Sequence, residues 1–394
     1  MTLKSLFFVA AALSLAGCSQ NEVVEKNPDA NPAIRFGVYT GVQTRGTETT
    51  STTLKASDAD GFGFLAYKTS TNWATDGSTA TPSFLYNEHG KWNATGGGAG
   101  SGGWEYANTR FWPTNTDKIS FFAYAPYEAA PDAGTNKGVK LSGNDATGAP
   151  TLEFTVKNTS GTIGWDGMVD LVTDCRSDVK DMTSTSGTPA GTVKFKFSHV
   201  LTKVADVKVK AQTNLGDNTR IFVTGLKLDP GTSKLFDKAT YKFEDDTWEA
   251  LSAASYFTGD KDLTGFLNVT NADFNGYTES SVKVEGTTAV SLFHADPVHP
   301  AKALYFIPVD NTTGTTTPGD LNLKISYDLV TKDAAGTGNV KSTVADKVIK
   351  LPAGTFKKGT AHTYTLTINM NAISIDVDDT LTPWADSAEE GVNP

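Results

Sequence analysis

The sequence predicts an all-β protein built of tandem Greek-key β-sandwiches, and three observations carry that expectation. Short apolar or alternating runs follow one another along most of the 394 residues. Gly, Asn, Asp, Ser and Thr divide these runs, as they do where strands are joined by turns. Interleaved helical patterns are missing, which favours sandwiches over α/β layers. No repeat with a period of about 20 to 50 residues, the mark of a solenoid, is evident.

With 38% hydrophobic residues the chain can bury a substantial core, and its length alone points to two or three domains. Charged residues make up 20% and the net charge is -10, with 34 Lys+Arg spread thinly. Phosphate binding needs a concentrated basic footprint, so nucleic acid is not expected as a partner. At the N-terminus, Lys4 precedes an apolar run from Leu6 to Ala16, too short to span a bilayer but suited to a signal peptide. It ends in Leu15-Ala16-Gly17-Cys18, similar to a bacterial lipobox. Residues 1–17 then read as a signal peptide and Cys18 as the lipidated residue. Such an acyl chain anchors a protein without a membrane-spanning segment. An ordinary signal peptide with an unrelated cysteine is the weaker reading, since all four positions fit. Cys18 and Cys175 are the only cysteines, so acylation of the first leaves no intramolecular disulfide. Cys175 reads as a partly buried strand-end residue, because Asp174 and Asp178 disfavour its thiolate.

Residues 18–45 read as a tether followed by a short strand, Ile34–Tyr39. Thr44-Arg45-Gly46-Thr47 follows within the polar run TRGTETTSTT, expected to be exposed where a protease reaches the backbone. Strands are then expected at Gly61–Tyr67, Lys118–Pro126 and Gly164–Thr173, with the glycine-rich 96–103 as a hairpin loop. In Thr192–Val200, Val193, Phe195 and Phe197 alternate with Lys194, Lys196 and Ser198, which places one face in the core and one in water. The loop Thr183–Gly191 has linker composition, giving expected domains at 46–190 and 191–394. Further strands are expected at Ala205–Ala211, Arg220–Leu228, Ser281–Glu285, Leu304–Val309, Leu321–Val330 and Val344–Leu351. Asp246–Phe257 alone has helical potential. The last run, Thr363–Val377, alternates at Tyr364, Leu366, Ile368 and Met370, then changes parity to Ile373, Ile375 and Val377. A single regular strand cannot bury both sets on one face, so a bulge or turn divides the run or its halves face different partners.

Chemistry is sparse. His294 and His299 lie close in HADPVHP, but no further ligands accompany them, and a turn with two surface histidines is the better reading. His199 follows a core strand and reads as a hydrogen-bonded structural residue. Asp58 and Asp60 precede Gly61, but Phe62 stands where a calcium loop needs an acid or Asn. Asp376, Asp378 and Asp379 suit a strand edge protected from pairing. With no hydrolase elbow, HExxH or Walker pattern, no catalytic residue, metal or cofactor is expected.

These residues together make the chain resemble the fimbrillins, lipoprotein-derived (type V) pilus subunits of Bacteroidia-type bacteria. The likeness rests on the lipobox, Arg45-Gly46 after a short strand, FWPTNTDKISFFAYAP from Phe111, FKFSHVLTKV from Phe195, and GTFKKGTAHTYTL from Gly354 with Pro383-Trp384. The resemblance implies an outer-membrane lipoprotein at the cell surface with two transthyretin-like sandwich domains. It also implies cleavage after Arg45 by an Arg-specific protease, removing the N-terminal strand. A neighbouring subunit's terminal strand, with Ile373, Ile375 and Val377 as its inserted residues, then fills the groove and propagates a homopolymer. A surface lipoprotein that binds glycans, or a tip or anchor subunit, is the alternative.

Overall fold

The computed structural model describes residues 32–40, 49–56, 60–95, 102–113, 116–156, 168–180, 191–230, 235–250, 256–270, 274–293, 303–308, 312–313, 321–333, 335, 338–351, 356–369 and 373–383. Within them the protein is all-β, with four sheets and two one-turn helices, α1 (Ser51–Leu54) and α2 (Trp73–Asp76). The largest sheet has the order β1 (Arg35–Thr40), β9 (Thr192–His199), β8 (Val172–Val179), β5 (Lys118–Ala125), β2 (Phe62–Thr69), β3 (Leu85–Asn93) and β4 (Gly103–Glu105). A second sheet runs β18 (Thr312–Thr313), β13 (Thr247–Ala250), β12 (Lys238–Lys242), β7 (Thr151–Thr155), β6 (Val139–Leu141). The third runs β16 (Val290–Ser291), β10 (Thr202–Ala211), β21 (Thr360–Ile368), β22 (Ile373–Pro383), with β17 (Leu304–Phe306) also on β10. The fourth runs β14 (Lys261–Asp262), β11 (Thr219–Asp229), β19 (Asn322–Lys332), β20 (Asn339–Lys350), with β15 (Val282–Val284) also on β11.

Strand parity explains where the cores lie. Phe62 and Phe64 of β2, Phe121 and Ala123 of β5, and Val193, Phe195 and Phe197 of β9 form one core of the seven-stranded sheet. The intervening Leu65, Tyr67, Phe122 and Tyr124 point the other way, into a larger core with Leu152, Phe154 and Tyr241 of the second sheet. Both faces of β2 and β5 are therefore buried, which is why GFGFLAY and KISFFAYA are nearly continuous apolar runs. β9 has one wet face, so its lysines alternate with its core residues as expected.

Three expectations change. The segment with helical potential contains β13 instead: Trp248 is fully buried, its Nε1 donating to Val200 O at 2.7 Å, and this packing overrides local preference. Of the strand expected at Gly164–Thr173, 164–167 lie outside the described residues, 168–171 are not strand, and Val172 and Thr173 open β8. Thr49 and Thr50, in the run expected to be exposed, are buried. Hydrogen-bonded pairs also join strands from either side of residue 190. β9 pairs with β1 and β8, and β7 pairs with β12 from Lys238–Thr155 to Lys242–Thr151.

Glu128 anchors the loop after β5. Its side chain accepts from the backbone N–H groups of Ala130 (2.9 Å), Asn136 (3.0 Å) and Lys137 (2.6 Å) and from Asn136 Nδ2 (2.9 Å). Burial alone pushes the carboxyl up, but these donors outweigh it and hold it below the usual carboxylate range. A depressed folded value stabilises the fold above the unfolded pKa, and the contribution is lost as pH falls through the folded one. Glu128→Gln is expected to cost about 1–3 kcal/mol at neutral pH, by aiming an amide N–H at other donors. In urea denaturation the gap to wild type should narrow below about pH 4.3, the unfolded glutamate value.

Candidate assembly site

β1 is an edge strand, parallel to β9 from Arg35–Thr192 to Thr40–Phe197. Ile34, Phe36 and Val38 are buried on alternate positions. Phe36 carries most of the contact: its ring lies 4.5 Å from Phe64, 5.3 Å from Tyr106, 5.4 Å from Phe195, 5.8 Å from Phe121 and 5.9 Å from Phe62. The start of the strand is held on both sides. Arg35 N donates to Gly191 O at 3.0 Å, while opposite it Ile34 N donates to Arg110 O at 2.8 Å and Trp112 N to Pro32 O at 3.1 Å. Tyr106 Oη donates to Ile34 O at 3.2 Å.

The Phe-Trp-Pro segment serves this seam. Trp112 is 2% exposed, and its Nε1 donates to Gly191 O at 3.1 Å. Gly191 has φ 77°, and a Cβ there would lie 2.8 Å from both Ala33 O and Trp112 Nε1, so only glycine fits. β1 thus closes the gap between β9 and the 110–112 segment. Lifted out, it would uncover Phe62, Phe64, Phe121 and Phe195 and leave the β9 edge unpaired.

At the other end of the chain, β21 and β22 form an antiparallel hairpin on the rim of the third sheet. Ile368 stands opposite Ile373, Leu366 opposite Ile375 and Tyr364 opposite Val377. The two sets, offset in parity along the chain, are thereby brought into register across the hairpin. Tyr364, Leu366 and Ile368 are at most 3% exposed, as the core side of a strand requires. A register shift between Ala361 and Thr363 bends the start of β21. β22 runs on to Pro383, beyond the Ile373–Val377 expected, and carries Asp376, Asp378 and Asp379 at the sheet edge. β20 is the corresponding edge of the fourth sheet, with Val340 and Val348 exposed.

Cys18, Arg45, Gly46, His294 and His299 lie outside the described residues. β1 ends at Thr40, five residues before Arg45. His199 is a buried structural residue, as expected, with Nδ1 2.9 Å from Asp170 Oδ1. Asp170 also receives Thr49 N at 2.8 Å, and its backbone carbonyl receives the Thr49 hydroxyl at 2.6 Å. The sequence carries no sign of this cluster, because its three residues are single letters in unrelated segments. Burial pushes the Cys175 thiol up to about 11, with Asp174 adding to it, so it is a poor nucleophile. Among the described residues no group of three or more His, Cys, Asp and Glu could hold a metal, and no Trp or Tyr is exposed. No described helix is long and apolar enough to cross a membrane.

A model of a family described as fimbrillin-like matches residues 44–384. The chain belongs to that family. This fimbrillin-like chain is 52% identical over 395 residues to the fimbrium subunit Fim1C of Phocaeicola vulgatus, with 100% of the chain and 99% of that protein covered. It is also similar to a fimbrial protein of Bacteroides vulgatus known from its crystal structure. The two share 50% identity at a TM-score of 0.76, over 90% of this chain and 99% of the other. The family match begins one residue before Arg45 and leaves β1 outside it.

Proposed function

We propose that this protein is a structural subunit of a cell-surface fimbrium, supporting adhesion, with no catalysis of its own. In this reading it is exported as an outer-membrane lipoprotein acylated at Cys18 and cut between Arg45 and Gly46 by an Arg-specific protease. It then polymerises by strand addition. In the same reading the chain is built of two transthyretin-like Greek-key sandwiches, the seven-stranded sheet belonging to the first. The observation that carries the proposal is the seating of β1: a short edge strand, five residues ahead of Arg45, fills a groove of aromatic side chains with three alternating residues. Ile373, Ile375 and Val377 offer the same spacing on another free edge, the complement that strand addition needs. Head-to-tail contacts of this kind do not close on themselves, so they build a filament.

Arg45→Ala is expected to leave every molecule monomeric and membrane-bound, with acylated Cys18 at its N-terminus. Wild-type protein sheared from cells is expected to begin at Gly46. N-terminal sequencing of the two reads this directly, and filaments built from uncut Arg45→Ala protein overturn it. The pairing of β22 with its own β21 favours one second reading, a tip or anchor subunit that keeps its terminal strand.

A further inference from the structure

If β1 leaves its groove, the fate of the chain behind the cut decides what an incoming strand meets. Only residues 46–48 separate Arg45 from Thr49, which is 7% exposed and bonded at both its N–H and its hydroxyl to Asp170. Asp170 is itself 2% exposed, with the His199 ring on its other oxygen. His199 lies just past Phe197, where the pairing of β1 with β9 ends. The bonded cluster therefore sits at the end of the groove toward which β1 runs.

The segment continues as a built unit. Thr50 caps α1 through its side chain, accepting from Thr53 N at 3.0 Å, while Thr53 Oγ1 accepts from Thr50 N at 2.7 Å. Leu54 is 4% exposed within the same core as Phe36 and Phe195. Lys55 then lays its Nζ over the Trp92 ring, 4.7 Å from the centroid. A four-residue helix has little stability of its own, so anchors at both ends have to hold it.

We propose that Asp170 is a positioning residue for assembly: through Thr49 it retains residues 49–55 as a fixed stop at the end of the groove when β1 departs. An incoming strand then finds open only the positions Arg35–Thr40 now hold, and the new N-terminus stays on the subunit that accepts it. The inference rests on the release of β1 proposed above, but the clamp exists before any cut and is tested separately.

Hydrogen exchange on the uncut full chain provides the first test. The hydrogen-bonded amides of Thr49, Thr50, Thr53 and Leu54 should be protected in wild type, and Thr49→Val, which removes the hydroxyl bond alone, should speed their exchange by roughly five- to tenfold. The midpoint of global unfolding should stay within a few degrees of wild type, and Asp170→Ala should give a larger acceleration. Trypsin on the same proteins provides the second test. The wild-type core should begin at Gly46, with Lys55 uncut, and the variant cores at Ala56. Unprotected wild-type amides, identical exchange in Thr49→Val, or a wild-type core beginning at Ala56 each overturn the clamp. If Asp170→Ala fails to fold, Thr49→Val decides. A wild-type chain that resists trypsin at Arg45 counts against release of β1, and the exchange result then decides the clamp.

Discussion

Phe36→Ala should destabilise the uncut chain by about 3–5 kcal/mol, the usual cost of truncating a buried phenylalanine, and leave assembled filaments unchanged. The ring sits among five aromatic neighbours in a close-packed core, so its removal leaves a cavity that the rigid sheet can only partly fill. In the proposed scheme, however, Phe36 belongs to the segment lost at Arg45, and another chain's strand occupies its place in the filament. Phe195→Ala is the control. It removes the ring stacked on Phe36 from the other side, on β9, which the processed subunit keeps. That variant should weaken precursor and filament alike. Thermal denaturation of uncut protein and of sheared filaments measures both, with a melting fall of order ten degrees expected for a loss of this size. A filament weakened equally by Phe36→Ala would mean that β1 never leaves.

That contrast separates what the sequence could and could not announce. β9 was legible because its lysines and aromatics alternate, and alternation with one wet face is the strongest local mark of a strand. β1 was legible for the same reason, although nothing in Ile34–Tyr39 shows that it lies parallel to β9 or that Arg110 and Trp112 hold its start. β3 and β7 were missed, since LYNEHGKWN and TLEFT are too polar or too short to stand out from loops. β13 was misread because Asp246–Phe257 is locally compatible with a helix, and only the partners of Trp248 decide otherwise. Pairings such as β7 with β12 join residues far apart in the chain, which no periodicity reports. Of the candidate site, the alternating sets at both ends were visible as patterns. The Thr49–Asp170–His199 cluster was not, because hydrogen bonds between distant single residues leave no repeat.

Deleting Ile373–Pro394 should abolish polymerisation while leaving a folded subunit that is still cut at Arg45. β21 remains paired with β10 through eight register positions from Lys203–Ala361 to Ala211–Ile368, and Tyr364, Leu366 and Ile368 stay covered by the core. The loss to the parent fold is therefore one edge strand, which sheets with several remaining strands tolerate. The loss to assembly is the whole donor. β22 cannot serve its own β21 and a neighbour's groove through the same edge at once, so donation requires the β21–β22 pairing to open. The hydrogen bonds given up to β21 are then replaced by those along the vacated edge of β9, and the exchange is favoured by covering Phe62, Phe64, Phe121 and Phe195. Size-exclusion chromatography of the cut deletion variant checks the outcome. Filaments from it would show that the terminal strand stays in its own sheet and that assembly uses another edge, of which β20, with Val340 and Val348 exposed, is the next to test.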